Sequence, residues 1–472
     1  MRKESAPKSV ESIKDGAVLK ENEIVDIVFP DGTHLVTAEN TDIVRLCCGA
    51  IDVHKKILMA AAVVTDPNTL KAVYYTKKFS SINQDIIAMS KWFAQYGVTD
   101  VVMESTGKYW IPVFNVLEEN GIKPSVTHPK YVKQIKGKKT DFRDAIHMAN
   151  LFRMDGIVAS FIPPADIRNM RELCRYMMKL TYIRTSEKNR FQNCMTVSQI
   201  RLDSVLSDPF GVTSTRIMDY LLSTPEDDFS PDEVYKLVDR RVKVPIDEIL
   251  ASIDGYNLSG IRREKMLIVG KHLKELDDLL ESVMDCLKPY KEKYLSYIKL
   301  ITTIPGIGPK AALFIISEIG ADMSVWNSDA SLASWTGLSP ACNESAGKKK
   351  STRIGNGGHY LKPVLVQCAL AAVKSTTCTY YANKYTAIKR RRGHKKAIIA
   401  IARMMIVAIY HMLSEGTVFR PNDLDKTLKS AGKKVELTVD NTCAYLKSLG
   451  VSDDVLAQIK NQCGGSIGVS VA

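Results

Sequence analysis

The run Ile43-Val44-Arg45-Leu46-Cys47-Cys48-Gly49-Ala50-Ile51-Asp52-Val53 leads through His54-Lys55-Lys56 into Leu58-Met59-Ala60-Ala61-Ala62-Val63-Val64. Two β-branched, apolar runs separated by a short polar turn read as consecutive strands. Lys71–Phe79 reads as a third strand. Helical periodicity over Asn83–Tyr96, a strand over Val98–Glu104, a helix over Lys108–Asn120, a short strand over Pro124–Thr127 and a helix over Phe142–Met154 follow. Three strands followed by alternating helix and strand describe an α/β layer built on a mixed sheet.

Working outward, residues 1–42 are polar, with only a short apolar patch at Ile24–Phe29, and read as an extension. From Pro163-Pro164 onward the strand signal disappears. Arg168–Arg201 carries Leu173, Met177, Leu180 and Ile183 at near-heptad spacing, and Ile261–Leu287 repeats the pattern with Met266, Ile268, Leu273, Leu276, Leu279, Leu280 and Val283. Two such helices should pair with each other or with a second protomer. A further unit runs from Leu300 to Ser414, and a polar tail follows. The expected division is an extension (1–42), a ribonuclease-H-like domain (43–160), a helical coiled-coil region (161–295), a mainly helical domain (296–415) and a tail (416–472). The expected fold class is thus multidomain α/β plus α, consistent with 472 residues at roughly 150 per domain.

Composition narrows the function. Hydrophobic residues at 45% and charged residues at 25% exclude wholesale disorder and fibrous repeats. The longest apolar candidate for a membrane span, Ala397–Leu413, contains Arg403, so insertion in a membrane is not expected. Met1-Arg2-Lys3-Glu4-Ser5 opens into polar sequence without a secretory pattern, and the expected location is inside the cell, in the cytoplasm. The ten cysteines include no Cys-x-x-Cys pair, which fits small core residues in a reducing compartment better than a zinc or redox site. Between Glu344 and Glu415 lie fourteen Lys and Arg and no acid, against a net charge of +13 for the whole chain. One-sided charge on this scale points to a polyanion, most simply nucleic acid.

Three groups of residues carry candidate chemistry. Asp52 and Glu104 end strands, while Asp141 and Asp144 open a helix at i, i+3 spacing on one face. Strand ends at one edge of an α/β sheet converge where ligands bind. Four carboxylates gathered there would repel unless a divalent cation bridged them, and all-oxygen ligation suits Mg²⁺ or Mn²⁺. The second group is Thr303-Ile304-Pro305-Gly306-Ile307-Gly308-Pro309-Lys310 before a helical run. Gly306 and Gly308 allow close approach to a phosphate, and Lys310 stands at a helix N-terminus, as in a helix-hairpin-helix element. A Pro-Gly turn between two core helices has the same pattern. The third is Glu344-Ser345-Ala346-Gly347-Lys348-Lys349-Lys350-Ser351-Thr352-Arg353. Either Ser345 or Ser351 could approach a phosphate there, with Lys348, Lys349, Lys350 and Arg353 stabilising negative charge. Arg390, Arg391 and Arg392 extend the basic surface.

Gly49-Ala50-Ile51-Asp52-Val53-His54-Lys55, Glu104-Ser105-Thr106-Gly107, Lys139-Thr140-Asp141-Phe142-Arg143-Asp144-Ala145, Ile304-Pro305-Gly306-Ile307-Gly308-Pro309, Trp335-Thr336-Gly337-Leu338-Ser339-Pro340 and Glu344-Ser345 occur in this order. Together they resemble the motifs of the insertion sequence 110 family of transposases across about 46–415. The resemblance implies a first domain similar to Holliday-junction resolvases, with an acidic tetrad of Asp52, Glu104, Asp141 and Asp144, and a second domain whose catalytic serine is Ser345. It implies donor and target DNA as substrates and recombination guided by an RNA from the element's own noncoding end. It also implies a homo-oligomer, dimer or tetramer, in which one protomer's acidic domain meets another's serine domain. Ala346 departs from members with Gly after the serine, and both termini lie outside the motifs. The rival readings are a site-specific invertase using the same residues, a resolvase-like nuclease in which water attacks, and a binding protein without catalysis, against which the four intact acids argue.

Overall fold

Strand β3 (Cys47–Val53) forms the centre of the first unit because it is buried on both faces. The structure, a computed structural model, describes residues 25–28, 34–37, 43–132, 141–340, 343–345, 348–351, 353–355, 357–376, 378–421 and 455. The chain divides after Ile162 into two units.

In the first unit a short antiparallel pair, β1 (Val25–Val28) and β2 (His34–Thr37), lies within the N-terminal extension. After β3 come β4 (Ile57–Thr65), β5 (Ala72–Ser80), α1 (Asn83–Gln95), β6 (Asp100–Glu104), α2 (Trp110–Glu119), β7 (Lys123–Thr127), α3 (Pro129–Val132) and α4 (Asp141–Arg153). The sheet order is β5-β4-β3-β6-β7, with β3, β4 and β5 antiparallel and β6 and β7 parallel to β3. It is a mixed α/β sheet, as the strand and helix pattern requires. The first strand starts later than its composition suggests. Val44 and Leu46 are exposed, and the Val44 and Arg45 amides donate to the Arg153 carbonyl at the end of α4 instead of joining the ladder.

Strand alternation sorts side chains between two cores. Ile51, Val53, Leu58, Ala60, Ala62, Val101 and Met103 pack with Ile86, Met89 and Phe93 of α1 and Val113, Phe114 and Leu117 of α2. Cys48, Ala50, Met59, Ala61, Val63 and Val102 pack with Ala145, Met148, Ala149 and Phe152 of α4. Gly49 belongs to the first set, since a Cβ there would stand 2.5 Å from the Phe93 ring.

The second unit is mainly helical. It contains α5 (Ala165–Val197), α6 (Leu202–Val205), α7 (Val212–Ser223), α8 (Pro231–Leu237), α9 (Ile246–Ala251), α10 (Ile261–Lys293), α11 (Leu295–Ile301), α12 (Pro309–Ile319), α13 (Asp329–Trp335), β8 (Asn343–Ser345), β9 (Lys348–Ser351), α14 (Leu361–Ala372), α15 (Tyr380–Arg392) and α16 (His394–Glu415). The long helices α5 and α10 pair with each other. They run antiparallel, since Asp166 meets Lys293 and Tyr294 while Arg184 holds Asp277 at 2.5 and 3.1 Å. Buried positions step by four and three on α5, through Met170, Cys174 and Met177, and by three, seven, seven and four on α10, through Met266, Val269, Leu276, Val283 and Leu287. Ile183, Ile268 and Leu279 fall off this narrow seam and are exposed. The chain between the two helices packs its own core around Ile200, Ile217, Leu221, Val234 and Ile249.

Glu318, 2% exposed, joins α12 to α5 by accepting from Arg175 at 2.6 and 2.8 Å, while Arg171 donates to the carbonyls of Ser317 and Glu318. Removing one partner of such a pair strands a buried charge. Helix α16 contains the Ala397–Leu413 run. It is long and apolar enough to cross a membrane, yet half of it is buried inside this unit, against α13, α14 and α15. That burial makes it a core helix. The loss of strand signal after Pro164 is corrected by β8 and β9, an antiparallel hairpin made of Asn, Glu, Ser and Lys, whose composition has no strand signature.

Candidate active site

The same alternation that builds the cores places the acids. Cys48 and Ala50 face α4, so Asp52, two further along β3, falls on that face where the strand ends. Gly49, Ala50 and Ile51 register with Val101, Val102 and Met103 of β6, which brings Glu104 beside Asp52 on the same side. Helix α4 packs on that face and carries Asp141 and Asp144 in its first turn, where the positive end of the helix dipole favours carboxylates. All four acids therefore gather at one sheet edge.

Their electrostatics agree. Burial pushes the Asp52 carboxyl above the ordinary Asp range, His54 draws it back, and Glu104, Asp141 and Asp144 each push it further up. Glu104 Oε1 accepts from the Thr106 hydroxyl at 3.0 Å, which orients it beside the strand end. His54 is the residue that sequence reading did not assign to the site. Its Nε2 lies 3.1 Å from Asp52 Oδ2 and 3.9 Å from Asp141 Oδ2. One donor atom from each of Asp52, His54 and Asp141 lies within 4.8 Å of the others. A signal was present in Asp52-Val53-His54, because alternate residues share a face. Two carboxylates and an imidazole around one point are a donor set that a divalent cation fits.

In the second unit, Ser345 occupies the last position of β8 opposite Lys348, with two residues between them, while Ser351 pairs with Asn343 at the other end of the hairpin. The two candidate serines thus lie at the tip and the base. The side chains of Ser345, Lys348, Lys349, Lys350 and Ser351 lie outside the described residues, as do Ala346 and the motif residues Lys139 and Thr140. The base of the hairpin is held by a close backbone approach. A Cβ on Gly337 would overlap the Gly357 carbonyl oxygen, and one on Gly358 would overlap that of Thr336. Pro340 bridges Ile354, and Lys362 Nζ donates to the Gly355 carbonyl at 2.8 Å. Trp335-Thr336-Gly337 on one side and Gly355, Gly357 and Gly358 on the other therefore clamp the base of the hairpin.

Gly306 and Gly308 have different environments. Gly306 has φ +85°, and a Cβ there would stand 2.5 Å from the Cys368 carbonyl oxygen and the Ala372 amide of α14. Its surface is occupied by protein, as in a turn between core helices. Gly308 has open space, and with Lys310 it is exposed at the N-terminus of α12. Arg353 lies beyond the hairpin, next to Ile354.

Arg390, Arg391 and Arg392 end α15, and His394, Lys395 and Lys396 begin α16 across Gly393, all of them exposed. Cations at a helix C-terminus suit its dipole, whereas Lys395 and Lys396 at an N-terminus oppose it. Helix stability therefore does not account for the whole cluster. Replacing Arg390, Arg391 and Arg392 with Ala is expected to weaken DNA binding across sequences and to reduce the salt slope by about 0.9 for each phosphate no longer neutralised. Fluorescence anisotropy over a salt series measures this, and an unchanged slope would mean a solvated face.

Residues 49–199 match a family model described as a transposase, of the DEDD type of insertion sequence 110, and residues 298–386 match a second described as "Transposase IS116/IS110/IS902 family". The chain belongs to the IS110 family of transposases. An uncharacterized 42 kDa protein of insertion element IS900 from Mycobacterium paratuberculosis is 27% identical over 161 residues, covering 33% of this chain and 39% of that protein. An uncharacterized 43.6 kDa protein of insertion element IS110 from Streptomyces coelicolor is 28% identical over 123 residues, covering 25% and 29%. The chain thus spans less than half the length of these relatives. The two IS110-family segments contain all four acids, the Pro-Gly turn and the serine hairpin. The helices between α5 and α10 and the Arg390–Arg392 cluster fall outside both.

Proposed function

We propose that this IS110-family chain cuts and rejoins DNA strands, using the acids Asp52, Glu104, Asp141 and Asp144 together with Ser345 as nucleophile. The observation that carries the reading is the gathering of the four acids, with the raised Asp52 carboxyl, at one edge of the sheet. A ribonuclease-H-like domain is supported by three antiparallel strands followed by two parallel ones.

Asp52, Glu104, Asp141 and Asp144 would hold Mg²⁺ or Mn²⁺, which when bound supplies charge neutralisation at the phosphate. The Ser345 Oγ–P bond forms as one P–O bond of the DNA breaks, and the serine proton ends on the departing strand's hydroxyl. The phosphoserine keeps the bond energy. A hydroxyl of another strand then attacks phosphorus, restores the P–O bond and releases Ser345 with its proton. Lys348, Lys349, Lys350 and Arg353, close in sequence to Ser345, would balance the charge that develops on phosphate oxygens. Gly308 and Lys310 at the α12 N-terminus, with Arg390–Arg392, would hold the backbone of donor and target DNA.

RNA from the element's noncoding end would select the sequences by pairing, and a dimer or tetramer would bring one protomer's acids to another's serine. The test incubates the full chain, Mg²⁺ and RNA transcribed from the element end with donor and target duplexes, and sequences the products. Joined donor–target strands, dependent on that RNA, are expected. Cut ends without joined products would replace this reading by the water-attacking nuclease, and joining without the RNA would remove the guide.

A further inference from the structure

We propose that His54 is a nitrogen ligand of the divalent ion at the acidic edge and biases that site toward Mn²⁺ over Mg²⁺. The inference rests on the reading that Asp52 and Asp141 hold such an ion. Placement comes from the strand, since Asp52 and His54 share a parity and His54 continues the α4 face just beyond β3. The same atom, Nε2, is directed at both acids, 3.1 Å from Asp52 Oδ2 and 3.9 Å from Asp141 Oδ2. Two donors each about 2.2 Å from an octahedral ion, at right angles, stand about 3.1 Å apart. The His54–Asp52 separation therefore suits adjacent ligands as well as a hydrogen bond.

Nothing else claims the ring. Among the described residues Nδ1 makes no hydrogen bond, so the tautomer with its proton on Nδ1 leaves the Nε2 lone pair for an ion. The His54 side chain is 47% exposed and that of Asp141 61%, which gives both room to close the about 0.8 Å between their 3.9 Å separation and that of adjacent ligands. Mg²⁺ prefers oxygen and retains its waters, whereas first-row transition ions gain more from an imidazole nitrogen. Replacing one oxygen ligand by His54 therefore shifts the preference toward Mn²⁺.

The test is Mn²⁺ binding to the full chain, with the loss of the free-ion paramagnetic resonance signal giving the Kd, Mg²⁺ competition giving the ratio, and pulsed resonance reading ¹⁴N coupling. Wild type is expected to show ¹⁴N coupling that His54→Gln loses and that His411→Gln, on α16 of the second unit, keeps. His54→Gln should weaken Mn²⁺ by at least about tenfold with far less effect on Mg²⁺, at an unchanged circular dichroism spectrum. Binding that Asp52→Asn abolishes but that shows no ¹⁴N coupling would overturn the ligand role. Equal weakening of both ions would make His54 a positioning residue acting through Asp52, and also overturns it. Absence of any Asp52-dependent Mn²⁺ binding would refute the acidic site itself, and the role of His54 with it.

Discussion

Asp52→Asn and Glu104→Gln are each expected to lower strand cleavage by about 10³-fold or more while nucleic-acid binding stays nearly intact. The amides keep the size of the side chains but lose the charge that holds a divalent ion, an interaction worth several kcal/mol in the transition state. Gel assays of nicking in Mg²⁺, paired with anisotropy, separate the two effects. Ordinary Mg²⁺-dependent cutting by either variant would remove the metal assignment. Asp52 also makes an opposite prediction for stability. Burial and three neighbouring acids hold its proton more tightly in the folded chain than in the unfolded one. Its contribution to folding is thus fully present below the unfolded value of about 3.9 and is lost as pH rises through the raised folded value. At neutral pH in chelator, Asp52→Asn should therefore melt higher than the parent. The difference should close as the solution is acidified below the ordinary Asp range.

Ser345→Ala is expected to lose both covalent trapping and product. With a nicked suicide substrate, a serine nucleophile leaves DNA attached to protein, because the broken P–O bond has been exchanged for Oγ–P and the resealing strand is missing. Ser351→Ala should trap normally, since Ser351 lies at the base of the hairpin and Ser345 at the tip. A nuclease with attacking water would cut without an adduct and would keep substantial activity in Ser345→Ala. Mass spectrometry of the peptide from Cys342 to Arg353 locates the link. An adduct on Ser351 would keep the covalent mechanism and refute the residue.

The sequence by itself determined the five strands of the main sheet, α1, α2, α4 and the candidate acids, because these are written locally, whereas β1, β2 and α3 carried no such signal. A continuous apolar run marks β4, three-to-four spacing marks α4, and Asp52 and Glu104 stand visibly at the ends of apolar runs. It determined where basic charge accumulates for the same reason. The tertiary structure decided which residues meet. The register of Gly49 with Val101 sets Glu104 beside Asp52, and the seat of α4 brings Asp141 within reach of His54, neither of which periodicity encodes. The backbone of α14 decided that Gly306 serves packing while Gly308 stays open. Pairing of α5 with α10 decided that Met177 and Leu276 are core while Ile183 and Leu279 face outward. Apolarity is a property of a residue, but burial depends on which way a helix is turned toward a neighbour far away along the chain.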